Sequence, residues 1–192
     1  LSEALHWFGS KKIGTDPSPF WCETRDVFTA RLSHIKAYLK QGLSPESLPL
    51  ILSVAGEIGN NSFDHNLGKW RDIPGCWFET QVTGDRLWLC VADRGQGIYK
   101  SLVRADPTID SDQKALETAF EKQISGRNPE KRGNGLKFVK NVILSCKTRG
   151  LACASGRGRI ALGACGDACL SALVKTAPNS SGTVTVLVWE LT

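Results

Sequence analysis

Apolar residues first fall into a regular pattern near residue 24. Phe28, Leu32, Ile35 and Leu39 recur at helical spacing, which predicts a helix from Thr24 to Gln41 stopped by Gly42. Ser44 and Pro45 suit an N-cap and a first-turn position, and they open a second helix that runs to about Asn66, ahead of Leu67-Gly68. Two alternating stretches, CWFETQV at 76–82 and RLWLCVA at 86–92, read as a hairpin around Thr83-Gly84-Asp85. A third helix covers about 112–124, with Leu116, Ala119, Phe120 and Ile124 on one face. The polar run SGRNPEKRGNG leads to a fourth helix at 136–147, lined by Leu136, Val139, Ile143 and Cys146. Strands follow at 151–155 and 158–163. In the closing strand, GTVTVLVWEL, Val184, Val186 and Val188 alternate with Thr183, Thr185, Leu187 and Trp189. Residues 1–21, with Pro17 and Pro19, read as an irregular arm or linker. Residues 164–181 read as an insertion or long loop with room for one short helix.

This order predicts an α+β fold: a two-layer α/β sandwich with helices packed on one face of a mixed, mostly antiparallel sheet. A single domain from 22 to 192 is expected.

Composition narrows the class. Apolar residues are 41% and charged residues 22%, an ordinary globular balance rather than a disordered one. No apolar run reaches the ~18 residues of a membrane helix, and LSEALHWFGSKK lacks the long apolar core of a signal peptide. The chain has no Met, and it reads as a fragment of a longer protein. The net charge of +5 gathers in EKRGNGLKFVK and SGRGR without an aromatic-interleaved basic stripe, which favours phosphate groups or plain solubility over nucleic acid. The seven Cys are unevenly spaced, and read as buried free thiols of a cytoplasmic protein. Cys165 and Cys169 lack the neighbours that a metal site needs.

Three stretches carry candidate chemistry. In AGEIGNNSFDHN at 55–66, a helical wheel at ~100° per residue puts Glu57, Asn61, Asp64 and His65 on one side. Leu48, Ile51, Leu52, Ala55, Ile58 and Phe63 take the other. A solvated face gives the same pattern, but Leu50 and Val54 partly cover this one. Gly56 and Gly59 cost about 1 kcal/mol each against Ala and need a packing or access reason. A carboxylate and an amide one turn apart suit a general base and a hard ligand for Mg²⁺. DRGQGI at 93–98 puts an acid and two glycines where a strand ends, which marks either a turn or a close approach to a ligand. In KRGNGLKFVKNV, Gly133 and Gly135 precede a helix, so backbone N–H groups there can face a phosphate, with Lys131 and Arg132 adjacent. A flexible helix-to-helix turn reads the same way.

Taken in order, Glu57 to Asn61 (E-x-x-x-N), Asp93 to Gly97 (D-x-G-x-G) and Gly133 to Leu136 (G-x-G-L) resemble the GHKL ATP-binding superfamily of gyrase, heat-shock chaperones, histidine kinases and mismatch-repair ATPases. The third motif departs by Lys137, where many members carry Gly. The resemblance implies a Bergerat-type fold with ATP and Mg²⁺ as its cofactors. Asp93 would accept the exocyclic amine of adenine, Gly95 and Gly97 would let the backbone close on the base, and Ile98 would pack on it, with Thr183 near the same pocket. Asn61 would bind Mg²⁺, His65 would touch a phosphate, and Gly133, Gly135 and Leu136 would hold phosphates under a lid of about 99–132. The look is nearest to anti-sigma-factor-type serine kinases, in which the acid at Glu57 serves as base for a partner's Ser or Thr. Two other readings stay open: a sensor kinase's catalytic domain cut from its helical hairpin, and a nucleotide-binding regulatory module without transfer. Expected partners are ATP and a protein phosphoacceptor or regulated factor, with no nucleic acid and no membrane.

Overall fold

The two alternating runs around Gly84 pair along their whole length. β1 (Trp21–Cys22) adds to β2 (Cys76–Thr83), and β2 pairs with β3 (Arg86–Asp93) from Cys76↔Asp93 to Thr83↔Arg86. Gly84 turns that hairpin at φ +61°, a left-handed conformation that matches strand twist and favours glycine. The computed structural model describes residues 1–10, 18–39, 43, 45–66, 68–121, 134–176 and 181–191. With β4 (Arg149–Ser155), β5 (Gly158–Leu162) and β6 (Thr183–Glu190) the sheet has, among the described residues, six strands in the order β1-β2-β3-β6-β4-β5. The expected mostly antiparallel sheet is antiparallel at every described pairing.

Seven helices accompany the sheet among the described residues: α1 (Ser2–Gly9), α2 (Arg25–Leu39), α3 (Ser47–Asn66), α4 (Ile98–Leu102), α5 (Asp112–Glu121), α6 (Gly135–Leu144) and α7 (Gly166–Thr176). Helices α2 to α6 lie on one face, as the α+β sandwich requires. Phe28, Ile51, Val54, Ile58, Leu116, Phe120, Val139 and Ile143 form one cluster with Phe78, Leu89, Val91, Leu151 and Leu187 of the strands. Gly59 has the packing reason that its helix position calls for. A β-carbon there would stand 2.0 Å from the Phe28 ring, so α2 and α3 close only around glycine. At the far end, α6 stops at Leu144 rather than 147. Arg149 donates to the Val142 carbonyl at 2.8 Å and to Ser145 Oγ at 3.1 Å, taking the place of further helical bonds.

The opposite face has cover of its own. Ala4, Leu5 and Phe8 of α1 and Cys169 and Leu173 of α7 pack on Trp77, Ala92, Ala152, Val184, Val186 and Val188. Residues 2–9 are therefore a helix and not the irregular arm expected from sequence, while 11–17 lie outside the described residues. Among the described residues of 164–181 stands α7, and its buried Cys169 and Leu173 make it part of the packed face rather than a loop. Strand β6, covered on both faces, is buried from Val184 to Trp189. No helix among the described residues is long and apolar enough to cross a membrane.

Candidate functional site

One rung of the sheet runs across all six strands and organises the site. In register stand Cys22, Cys76, Asp93, Thr183, Ser155 and Gly158, one residue from each strand. Directly opposed residues of a sheet point to the same face, so the side chains of Asp93 and Thr183 turn toward the helices. Between them and α3, α4, α5 and α6 lies a cleft of about 800 Å³, counting the open space at its mouth.

Asp93 is the floor of this cleft and is only 4% exposed. Its Oδ1 accepts from Asn66 Nδ2 at 3.0 Å and from the Gly95 N–H at 2.9 Å, and its Oδ2 accepts from Ser62 Oγ at 3.1 Å. Burial pushes the carboxyl up to about 6 from 3.8, against the pull of the Gly95 N–H, the Ser62 hydroxyl, the Thr183 N–H and the Asn66 amide. Asn66 is itself fixed. Its Nδ2 also donates to the Ser62 carbonyl at 2.9 Å, and its Oδ1 accepts the Gln96 N–H at 3.0 Å. Gly95 is glycine because that amide lies on it: a β-carbon would stand 1.9 Å from Asn66 Cγ.

Gly97, at φ +81°, turns the chain into α4, and a β-carbon there would stand 3.0 Å from Ser155 Oγ. Ser155 Oγ accepts the Ile98 N–H at 2.9 Å and donates to the Gly182 carbonyl at 3.0 Å, so one hydroxyl pins the glycine loop to β4 and to the entry of β6. Thr183 Oγ1 donates to the same hydroxyl at 3.3 Å. Apolar walls come from Ile58, Val91, Ile98, Leu102 and Leu136.

On the α3 side, Asn61 and His65 line the cleft, and His65 Nδ1 lies 3.0 Å from Ser101 Oγ of α4. Asp64 points elsewhere, in an ion pair with Arg25. Glu57 is exposed and stands at the rim, where its Oε2 would be 2.3 Å from a β-carbon on Gly135. That contact sets a carboxylate at the N-terminus of α6, where the helix dipole favours negative charge. Among the described residues no group of three His, Cys, Asp or Glu gathers as a metal site.

The cleft thus unites Asn61, His65, Asp93, Gly97, Ile98, Gly135, Leu136 and Thr183, with Glu57 and Gly95 at its margins. Gly133, Lys131 and Arg132 lie outside the described residues, as does the expected lid beyond 121. The first part of that lid is packed structure: Ser101, Leu102, Ile109, Leu116 and Phe120 are buried. Sequence reasoning missed Ser62, Asn66 and Ser155, the side chains that hold the carboxylate and the loop. It also missed Arg94, which is fully buried and points to the other face. There it donates to Asp72 at 2.9 Å and to the Ser10 carbonyl, and lies 4.8 Å from the Trp7 ring centre, which ties α1 to the glycine loop. Burial lowers the Arg94 guanidinium, Asp72 raises it and Arg71 lowers it further.

No family model matches the chain, and no curated protein matches it. Among solved structures it is similar to a mycobacterial sensor histidine kinase, MprB, at 17% identity and a TM-score of 0.41, over 74% of this chain and 71% of that one. A likeness so distant carries no argument about function, which rests on the cleft itself.

Proposed function

We propose that the cleft binds Mg-ATP and that the domain is a histidine-kinase-like, GHKL-type ATPase domain. It passes the γ-phosphate to a protein partner, to a Ser or Thr hydroxyl or to the His of a dimerisation domain. The observation that carries this reading is Asp93, an acceptor-only carboxylate buried at the floor of a largely apolar cleft. The exocyclic amine of adenine donates to such a group, whereas guanine presents a carbonyl at the same place. Ser62 Oγ turns about a single bond, so it can yield its position on Oδ2 to the amine. Ile98 and Leu136 offer apolar contact to the base, and the N-terminus of α6 at Gly135 offers N–H groups to the phosphates.

Asn61 fits a Mg²⁺ that arrives with the phosphates, because a carboxamide oxygen is a neutral hard ligand and such ions keep phosphate and water oxygens in their shell. Bound there, the ion would supply charge neutralisation on the phosphates. Glu57 acts as the base: it takes the proton of the partner's hydroxyl as that oxygen bonds to the γ-phosphorus and ADP leaves. A second reading draws on the same residue. The Glu57 carboxylate beside Gly135 stands where phosphates would bind, which suits a nucleotide-binding regulatory module without transfer.

Phosphate release and transfer assays on Glu57→Gln separate the two. The variant is expected to keep nucleotide affinity and to lose turnover by about 10²–10⁴-fold. Full turnover in the variant would remove Glu57 from the chemistry. ATP binding with no turnover in the parent, partners included, would favour the regulatory module.

A further inference from the structure

Two cysteines face each other at the edge of the sheet, outside the cleft. Cys22 of β1 is the register partner of Cys76 of β2. Directly opposed residues of an antiparallel pair have Cα atoms ~4.5–5.5 Å apart, inside the ~4.4–6.8 Å over which a disulfide closes. Gly75 helps the strands to approach: at φ +104° it stands so close that a β-carbon would lie 2.3 Å from the Cys22 carbonyl oxygen. Each thiol shifts the other's ionisation, and both residues are fully buried; Cys22 Sγ donates to the Phe20 carbonyl at 3.9 Å. Arg31 acts electrostatically on both sulfurs, and its buried NH1 has no hydrogen-bond partner among the described residues. Among the described residues no other two cysteines are cross-strand partners: Cys90 faces Glu79 and Val186, and Cys153 faces Ile160 and Thr185.

We propose that Cys22 and Cys76 form a dithiol site that a low-molecular-weight disulfide oxidises to an intramolecular disulfide. The Cys22 thiol gives its proton to water, and its sulfur attacks one sulfur of the small disulfide and displaces the other as a thiolate. The Cys76 thiol then loses its proton, and its sulfur attacks the Cys22 sulfur and expels the second small thiolate. The protein loses two protons and two electrons, and the small disulfide becomes two small thiols. The roles follow from the surroundings of each sulfur. The neighbouring Cys76 thiol lowers the Cys22 thiol, burial opposes that, and Arg31 adds to it; burial pushes Cys76 well up. Cys22 is therefore the attacking sulfur and Cys76 the resolving one.

Access comes through β1, an edge strand of two residues, so the reaction keeps pace with local opening of that strand. Cys76 is also the register partner of Asp93. A closed bridge consequently fixes the strand next to the carboxylate on the cleft floor. The site stands whether or not the cleft takes a nucleotide.

The test uses the whole chain incubated with oxidised glutathione, alkylated, and digested with trypsin without reduction. Cys22 and Cys76 are the sole cysteines of peptides 13–25 and 72–86. Those peptides are expected joined, with two of the seven thiols lost and a Tm higher by about 5–10 °C. Cys22→Ser should abolish the joined species. Seven free thiols after prolonged oxidation would overturn the proposal. So would a glutathione adduct on Cys22 that never resolves, or a cross-link confined to other cysteines.

Discussion

Replacing Gly95 with Ala places a β-carbon on the side-chain amide of Asn66, 1.9 Å from Cγ and 2.0 Å from Oδ1. Gly95 is not among the glycines with positive φ, so crowding rather than backbone strain forbids the side chain. Asn66 cannot swing aside cheaply. It donates to Asp93 and to the Ser62 carbonyl and accepts from Gln96, and moving the amide gives up all of these bonds. At about 1 kcal/mol net for each bond the loss is about 3 kcal/mol. The stiffer unfolded chain of an alanine variant returns about 0.4–1 kcal/mol. What remains, about 2–3 kcal/mol, corresponds to a Tm lower by about 4–12 °C for a chain of this size. Thermal unfolding followed by circular dichroism reads it, and a double-mutant cycle with Asn66→Ala tests the cause. Without the amide the three atoms nearest the new methyl are gone, so the double variant should be at least as stable as Asn66→Ala alone. An unchanged Tm for Gly95→Ala, or its full cost persisting beside Asn66→Ala, would refute the reasoning.

Gly135→Ala should behave in the opposite way, because the atom that its methyl meets is the end of the exposed Glu57 side chain. Its Tm is expected to stay within about 2 °C of the parent, while turnover falls because the carboxylate is displaced; normal turnover would detach Gly135 from Glu57. Asp93, raised to about 6 from 3.8, holds its proton more tightly folded than unfolded. The stability it contributes is complete below the lower value and is lost as pH rises through the upper one. Urea unfolding should accordingly show the parent losing about 1–2 kcal/mol relative to Asp93→Asn between about pH 5 and 7.5. A pH-independent gap between the two would mean that the carboxyl is not raised.

The elements legible in the sequence are those whose pattern is long enough to stand without tertiary help. Strands β2, β3 and β6 and the body of α3 fall where alternation and helical spacing put them. Helix α1 was hidden because eight residues carry too few apolar positions to show a period. It is held by groups far along the chain: Glu79, which accepts the Ala4 N–H at 2.9 Å, and Arg94. Helix α7 was obscured by small residues, Ala168, Cys169, Ser171 and Ala172, that mask which face is buried. At the site, the glycines after Asp93 announced a close approach, but not to what. Part of the answer is Asn66, and no spacing rule links residue 66 to residue 95. The stripe Ile58, Ser62, Asn66 carried a signal of its own, since polar residues there continue a buried apolar line. The acid, amide and imidazole of Glu57, Asn61 and His65 on the neighbouring face give the stronger chemical signal and mask it.

Calorimetric titration of the parent and of Asp93→Asn with Mg-ATP and Mg-GTP tests the nucleotide assignment most directly. Saturable binding of ATP by the parent is expected, with GTP at least about tenfold weaker. In Asp93→Asn the affinity for ATP should fall by about 1.5–3 kcal/mol, roughly ten- to a hundredfold, as the charge-assisted bond to the amine is lost. Equal binding of ATP and GTP by the parent, or ATP held as tightly by Asp93→Asn, would contradict an adenine site at Asp93.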